Sequence, residues 1–210
     1  MSAAAWVGFT IVSVGLLLVF EALEHRRGIA VVKPIASTGF LGVAVASGAL
    51  DTVYGGAIFA ALALSWLGDV LLIPKGAKAA FLGGLVAFLL GHVAYAIAFT
   101  MRGVDVGAAA IAAVALALGA VSIGRMLVRA APANLRVPVV AYIAVISTMV
   151  AAAAGAVGAG VEPAILVGAV MFYFSDLGVA RDRFVQKSFW NKAVLLPLYY
   201  GAQLIFALSV

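Results

Sequence analysis

Apolar residues run along this chain in blocks of about 20, the length a helix needs to cross the hydrocarbon core of a bilayer, and polar residues are confined mainly to short gaps between the blocks. Eight blocks can be marked, at 3–22, 32–49, 53–73, 79–100, 106–127, 137–157, 162–180 and 189–209. Each predicts one transmembrane helix. No gap is long or polar enough for a soluble unit, so residues 1–210 read as one all-α, eight-helix polytopic membrane domain. The first block has no basic segment ahead of it and is long enough to span, which predicts a membrane helix rather than a cleaved signal peptide. Blocks five and six are rich in Gly and Ala, residues that let helices approach closely in lipid.

Composition agrees with the pattern. Hydrophobic residues make up 66% of the chain and charged ones 10%, whereas soluble domains carry about 25% charged residues. The absence of Cys excludes disulfides and thiolate chemistry, and two histidines are too few for a three-His zinc site. No metal site and no cofactor are expected. The net charge of +5 is not the footprint of a nucleic-acid binder, because the basic residues sit in the short connections. Arg26, Arg27 and Lys33 follow block one, and Lys75 and Lys78 follow block three. Arg125, Arg129 and Arg136 flank the fifth connection, and Arg181, Arg183, Lys187 and Lys192 the seventh. Of the 13 basic residues only Arg102 falls in an even-numbered connection. By the positive-inside rule the odd connections are cytoplasmic and both termini lie outside.

Against this background two acids stand out. Asp69 ends the phrase Leu64-Ser65-Trp66-Leu67-Gly68-Asp69, and Asp176 ends Phe172-Tyr173-Phe174-Ser175-Asp176. An ionised Asp at the centre of a membrane helix costs about 2.5–3.5 kcal/mol on insertion scales, so such residues call for a partner or a task. They stand 107 positions apart, in blocks three and seven, at similar depths from the predicted cytoplasmic ends. In the next helices Phe81, His92 and Tyr95 align with Phe189, Tyr200 and Gln203 at an offset of 108. The halves are therefore a candidate pair of parallel four-helix repeats, related by an axis along the membrane normal. Lys33 opens block two and Asn191 and Lys192 open block eight, all from the cytoplasmic side. His92 and Tyr95 share one helix face, and Tyr199, Tyr200 and Gln203 lie close together on another. The plain alternative is that each acid pairs with a nearby Lys or Arg and only locks helices together.

The phrases Lys33-Pro34, Ser65-Trp66-Leu67-Gly68-Asp69, Phe81 to Phe88 with Gly91-His92-Val93-Ala94-Tyr95, Phe174-Ser175-Asp176 and Tyr199-Tyr200-x-x-Gln203 stand in the order found in the YhhN-like lysoplasmalogenase family. The resemblance runs from Lys33 to the C-terminus. It implies an eight-helix membrane enzyme that hydrolyses the vinyl-ether bond of lysoplasmalogens to a fatty aldehyde and glycerophospho-ethanolamine or -choline. It also implies that Asp69 and Asp176 are the catalytic pair. One departure is the Ser175-Asp176-Leu177-Gly178 phrase, where a small polar residue often follows the acid.

The implied chemistry suits two carboxyl groups. Vinyl ethers hydrolyse by rate-limiting protonation of the β-carbon, and water then traps the resulting oxocarbenium ion. Two carboxyl groups in unlike surroundings can divide such work, as in glycosidases. Lys33, His92, Tyr95, Asn191, Lys192, Tyr199, Tyr200 and Gln203 are the expected substrate-binding set, with Lys33 or Lys192 on the lipid phosphate. The expected partners are a lysophospholipid within the bilayer and water, with neither nucleic acid nor a protein partner implied. The expected location is a bacterial inner membrane, with the site towards the cytoplasmic leaflet. A rival function is a small proton- or cation-coupled transporter, or a lipid-binding protein, using the same two acids.

Overall fold

The computed structural model describes every residue except Lys75, and nothing is described of the Ser122 side chain; the topogenic role expected of Lys75 lies outside the described residues. Among the described residues eight α-helices follow one another: α1 (Ala3–Ala22), α2 (Arg26–Ala46), α3 (Val53–Leu71), α4 (Lys78–Thr100), α5 (Val106–Ala130), α6 (Arg136–Gly158), α7 (Ala164–Phe184) and α8 (Phe189–Leu208), with a short 3₁₀ turn at Ala133–Leu135 before α6. There is no strand among the described residues. Side chains cap several starts. Ser2, Thr52, Asp105 and Ser188 each accept a backbone N–H of the first turn, as does Nδ1 of His25, satisfying donors that a helix start leaves free.

Six of these helices are long and apolar enough to cross a membrane, or seven when α5, bent by 46° between Val106–Val121 and Ile123–Ala130, counts as one span. The chain is accordingly an integral membrane protein. The helix that falls outside this set is α8, whose mean hydropathy is lowered by Asn191, Lys192, Tyr199, Tyr200 and Gln203.

Two helices extend beyond their apolar blocks. The second begins at Arg26 rather than near 32, because the His25 cap on the Gly28 N–H starts it within polar sequence. Lys33 and Pro34 thus lie inside α2 rather than at its mouth. The seventh continues through Arg181 and Arg183 to Phe184, where cations suit the negative end of the helix dipole.

Neighbours in sequence pair as α1/α2, α3/α4, α5/α6 and α7/α8. The pairs then join crosswise: α2 packs on α8, and α6 packs on α4. Glycines permit close approach beside both acids. A Cβ on Gly68 would stand 2.6 Å from the Phe88 ring of α4, and one on Gly178 would run into Leu195 of α8. The core is aromatic where α4, α7 and α8 converge. Phe172 meets His92 at 4.4 Å between ring centroids, Tyr199 at 5.4 Å and Tyr95 at 6.2 Å.

Candidate functional site

Asp69 is 2% exposed, in the last turn of α3. Its Oδ1 lies 3.0 Å from Nζ of Lys33. Its Oδ2 accepts hydrogen bonds of 2.6 Å from both the Ser37 hydroxyl and the Tyr199 phenol. Ser37 uses its one hydroxyl proton on Asp69, so the Tyr200 phenol, 3.0 Å away, must be the donor in the Tyr200–Ser37 contact. One ammonium and two hydroxyl groups thus supply both carboxyl oxygens of Asp69 with charge-assisted donors. Lys33 and Ser37 reach it together because residues four apart share a helix face.

Asp176 is held differently. It lies about two turns before the end of α7, deeper along its own helix than Asp69 is along α3. Its Oδ2 accepts the Tyr142 phenol at 2.7 Å and stands 3.2 Å from Nε2 of His92. That His92 contact is close but is not aligned as a hydrogen bond. No hydrogen bond reaches Oδ1 among the described residues, and no Lys or Arg pairs with this acid among them.

The partners follow one scheme. Each acid is met by its own half's second helix (Ser37 of α2, Tyr142 of α6) and by the other half's fourth (Tyr199 of α8, His92 of α4). Tyr95 and Gln203, 108 positions apart, meet directly through a 2.5 Å hydrogen bond from the phenol to Oε1.

Both acids line one cavity of about 350 Å³, within the range of small-molecule sites. Its polar lining includes Lys33, Asp69, Tyr142, Asp176, Arg183 and Tyr199, and the remaining wall is largely Leu, Ile, Val and Phe. Leu82, Val86 and Val179 line it and are exposed, and the cavity is open rather than sealed. Lys33, Asp69, Asp176 and Tyr199 are thus brought together, with His92 and Tyr200 directly behind them. Tyr95 and Gln203 pair with each other, fully buried.

Asn191 and Lys192 go elsewhere. Asn191 bonds Asp182, Arg181 and the Gln186 carbonyl. Lys192 pairs with Glu21 of α1. Neither residue lines the cavity. Arg183 does, with its guanidinium 4.4 Å from the centroid of the Phe81 ring. Hydropathy singles out neither Ser37, which bonds Asp69, nor Arg183, which lines the cavity. The spacing of Ser37 from Lys33 is a usable signal for the first, while Arg183 looked topogenic.

These features define a class: a helical integral membrane protein with two carboxyl groups on one apolar cavity. The chain belongs to the YhhN family, whose model matches residues 28–210. It is 31% identical over 158 residues to Lysoplasmalogenase TMEM86A of Bos taurus, a match covering 72% of this chain and 64% of that relative. The match therefore spans just under two-thirds of the relative's length. No solved structure matches the chain.

Proposed function

We propose that this protein is an alkenyl-ether hydrolase that cleaves the vinyl-ether bond of a lysoplasmalogen, giving a fatty aldehyde and glycerophospho-ethanolamine or -choline. The observation that carries this reading is the single apolar cavity lined by both Asp69 and Asp176. Its walls suit an alkenyl chain, and its two carboxyl groups suit acid–base chemistry on an enol ether. The lysoplasmalogenase named among its relatives supports the same reaction class.

The substrate's amphiphilic form fits the lining. Lys33 is occupied by Asp69 and Lys192 by Glu21, whereas Arg183 has no acidic partner among the described residues. Arg183 is therefore the cation available at the cavity for the lipid phosphate, in place of Lys192. Guanidinium groups suit phosphate oxygens through paired N–H donors. The open wall at Leu82, Val86 and Val179 supports entry of the chain from the lipid phase.

The same reading places all eight α-helices in the membrane, α8 included. Packing of α8 against α1, α2, α3 and α7, where Lys192, Tyr199 and Tyr200 find partners, supports its membrane residence. Both termini would lie outside and the site would serve the cytoplasmic leaflet of a bacterial inner membrane, a placement that the distribution of basic residues among the connections supports. The crosswise α2/α8 and α6/α4 packing, and the Tyr95–Gln203 contact, support two parallel four-helix repeats. Detergent-solubilised protein supplied with a 1-alkenyl lysophospholipid should release free aldehyde and leave the saturated 1-alkyl analogue intact. A transporter using the same acids would release none.

A further inference from the structure

We propose that Asp176 and His92 hold one proton between them and that this proton is the one delivered to the alkene, while Asp69 remains an anion throughout. This rests on the hydrolase reading above and assigns unequal roles to the two acids.

The tautomer of His92 is the starting point. Its Nδ1 lies 2.6 Å from the Phe88 carbonyl oxygen. A carbonyl only accepts, so Nδ1 carries the hydrogen. In a neutral ring Nε2 then presents a lone pair, and that atom is 3.2 Å from Asp176 Oδ2. The contact stands off the hydrogen-bond line, yet two acceptors this close still repel unless a proton lies on one of them. His92 is wholly buried, and an unpaired carboxylate beside it would be a charge without compensation. One further proton removes both difficulties. It sits on Nε2 opposite a carboxylate, or on the carboxyl group opposite the Nε2 lone pair; the pair is neutral either way.

The surroundings keep that proton local. The titratable and charged groups nearby are Tyr142 of α6, which donates to Oδ2, and Tyr199, Asp69, Lys33 and Arg183 along the cavity. The other faces of the imidazole meet Phe172 and the Tyr142 ring. Asp69 is the opposite case, because Lys33, Ser37 and Tyr199 already supply both of its oxygens with donors. Protonating it would break contacts that protonation of Asp176 leaves in place.

The steps balance. The alkene π pair takes the proton from Asp176 at the β-carbon, leaving an oxocarbenium ion beside the newly anionic Asp176. Water adds at the α-carbon and returns a proton to the Asp176–His92 pair, giving a hemiacetal. The pair then protonates the glycerol oxygen as the C–O bond breaks and takes the hemiacetal hydroxyl proton, releasing aldehyde and alcohol. Asp69, fixed with Lys33, contributes a constant negative charge near the cation. His92 is a positioning residue that acts through Asp176.

The test uses the full-length protein with ¹⁵N-labelled histidine at neutral pH, with His92→Gln to assign the signal, together with infrared spectra of wild type, Asp176→Asn and Asp69→Asn. The expected result is a protonated Nδ1 plus one further proton, seen either on Nε2 or as a carboxylic-acid band lost in Asp176→Asn. A bare Nδ1, a carboxylic-acid band that disappears only in Asp69→Asn, or an unprotonated Nε2 beside an ionised Asp176 would overturn the proposal. With vinyl-ether lysolipid, His92→Gln should lower kcat by roughly 10²–10⁴-fold at an unchanged KM. Unaltered kcat in that variant also overturns it. If wild-type protein released no aldehyde, the hydrolase reading would fail while the spectra still decided where the proton resides.

Discussion

Lys33 and Asp69 form an ion pair of 3.0 Å between α2 and α3, with the lysine side chain 18% exposed and the aspartate 3%. Breaking a buried pair by removing one partner typically costs about 3–5 kcal/mol, because the other charge is left uncompensated. Two hydroxyl donors stay on Asp69 when the lysine is lost, so Lys33→Met should destabilise the protein towards the lower end of that range, about 3 kcal/mol. Adding Asp69→Asn should recover most of the stability and none of the activity. Reversible denaturation of both variants in mixed micelles measures this.

Arg183 should separate head-group binding from catalysis. Hydrogen bonds to charged groups contribute about 1.5–3 kcal/mol, so Arg183→Gln should raise KM for a phosphate-bearing lysolipid by about 10–100-fold. The same change should leave KM unaltered for an alkenylglycerol that lacks phosphate. Steady-state kinetics on the two substrates makes the comparison.

Lys192 should behave as a structural residue. It pairs with Glu21 at a partly exposed position, side chains 34% and 13% exposed, where ion pairs contribute about 0–1 kcal/mol. Lys192→Met should therefore lower stability by no more than about 1 kcal/mol and keep kcat and KM for lysolipid. A large rise in KM would restore the phosphate-binding role expected from its place at the start of α8.

Gly68 should tolerate no side chain without displacement of Phe88, since a Cβ there would lie 2.6 Å from the ring. Overpacking of this kind costs typically about 1–3 kcal/mol. Gly68→Ala should lower stability by that order and, by shifting α3 against α4, reduce activity further than stability. Unfolding and turnover measured on the same preparation distinguish the two effects.

Much of the architecture was legible in hydropathy, because apolar blocks of spanning length specify helices almost regardless of context. The eight blocks and the eight α-helices coincide to within a few residues, apart from the start of α2 and the end of α7. Those ends were obscured because a side-chain cap and the helix dipole carry helix into polar sequence. A place on the shared cavity was legible where an acid interrupted an apolar run, as at Asp69 and Asp176. Ser37 beside Asp69 and Arg183 on the cavity were not legible, being an ordinary hydroxyl and an apparently topogenic cation. Which acid meets which helix depends on the crosswise packing of the halves, a long-range relationship that hydropathy does not encode. The same packing takes Lys192 to Glu21, 171 positions away, and so withdraws it from the cavity.

The central claim is that Asp69 and Asp176 act together on one substrate. It is tested most directly by aldehyde release from a 1-alkenyl lysophospholipid by wild type, Asp69→Asn and Asp176→Asn, each shown to be folded by elution and unfolding behaviour. Loss of turnover by at least about 10²-fold in both variants is the expected result. Full turnover in either folded variant would contradict it.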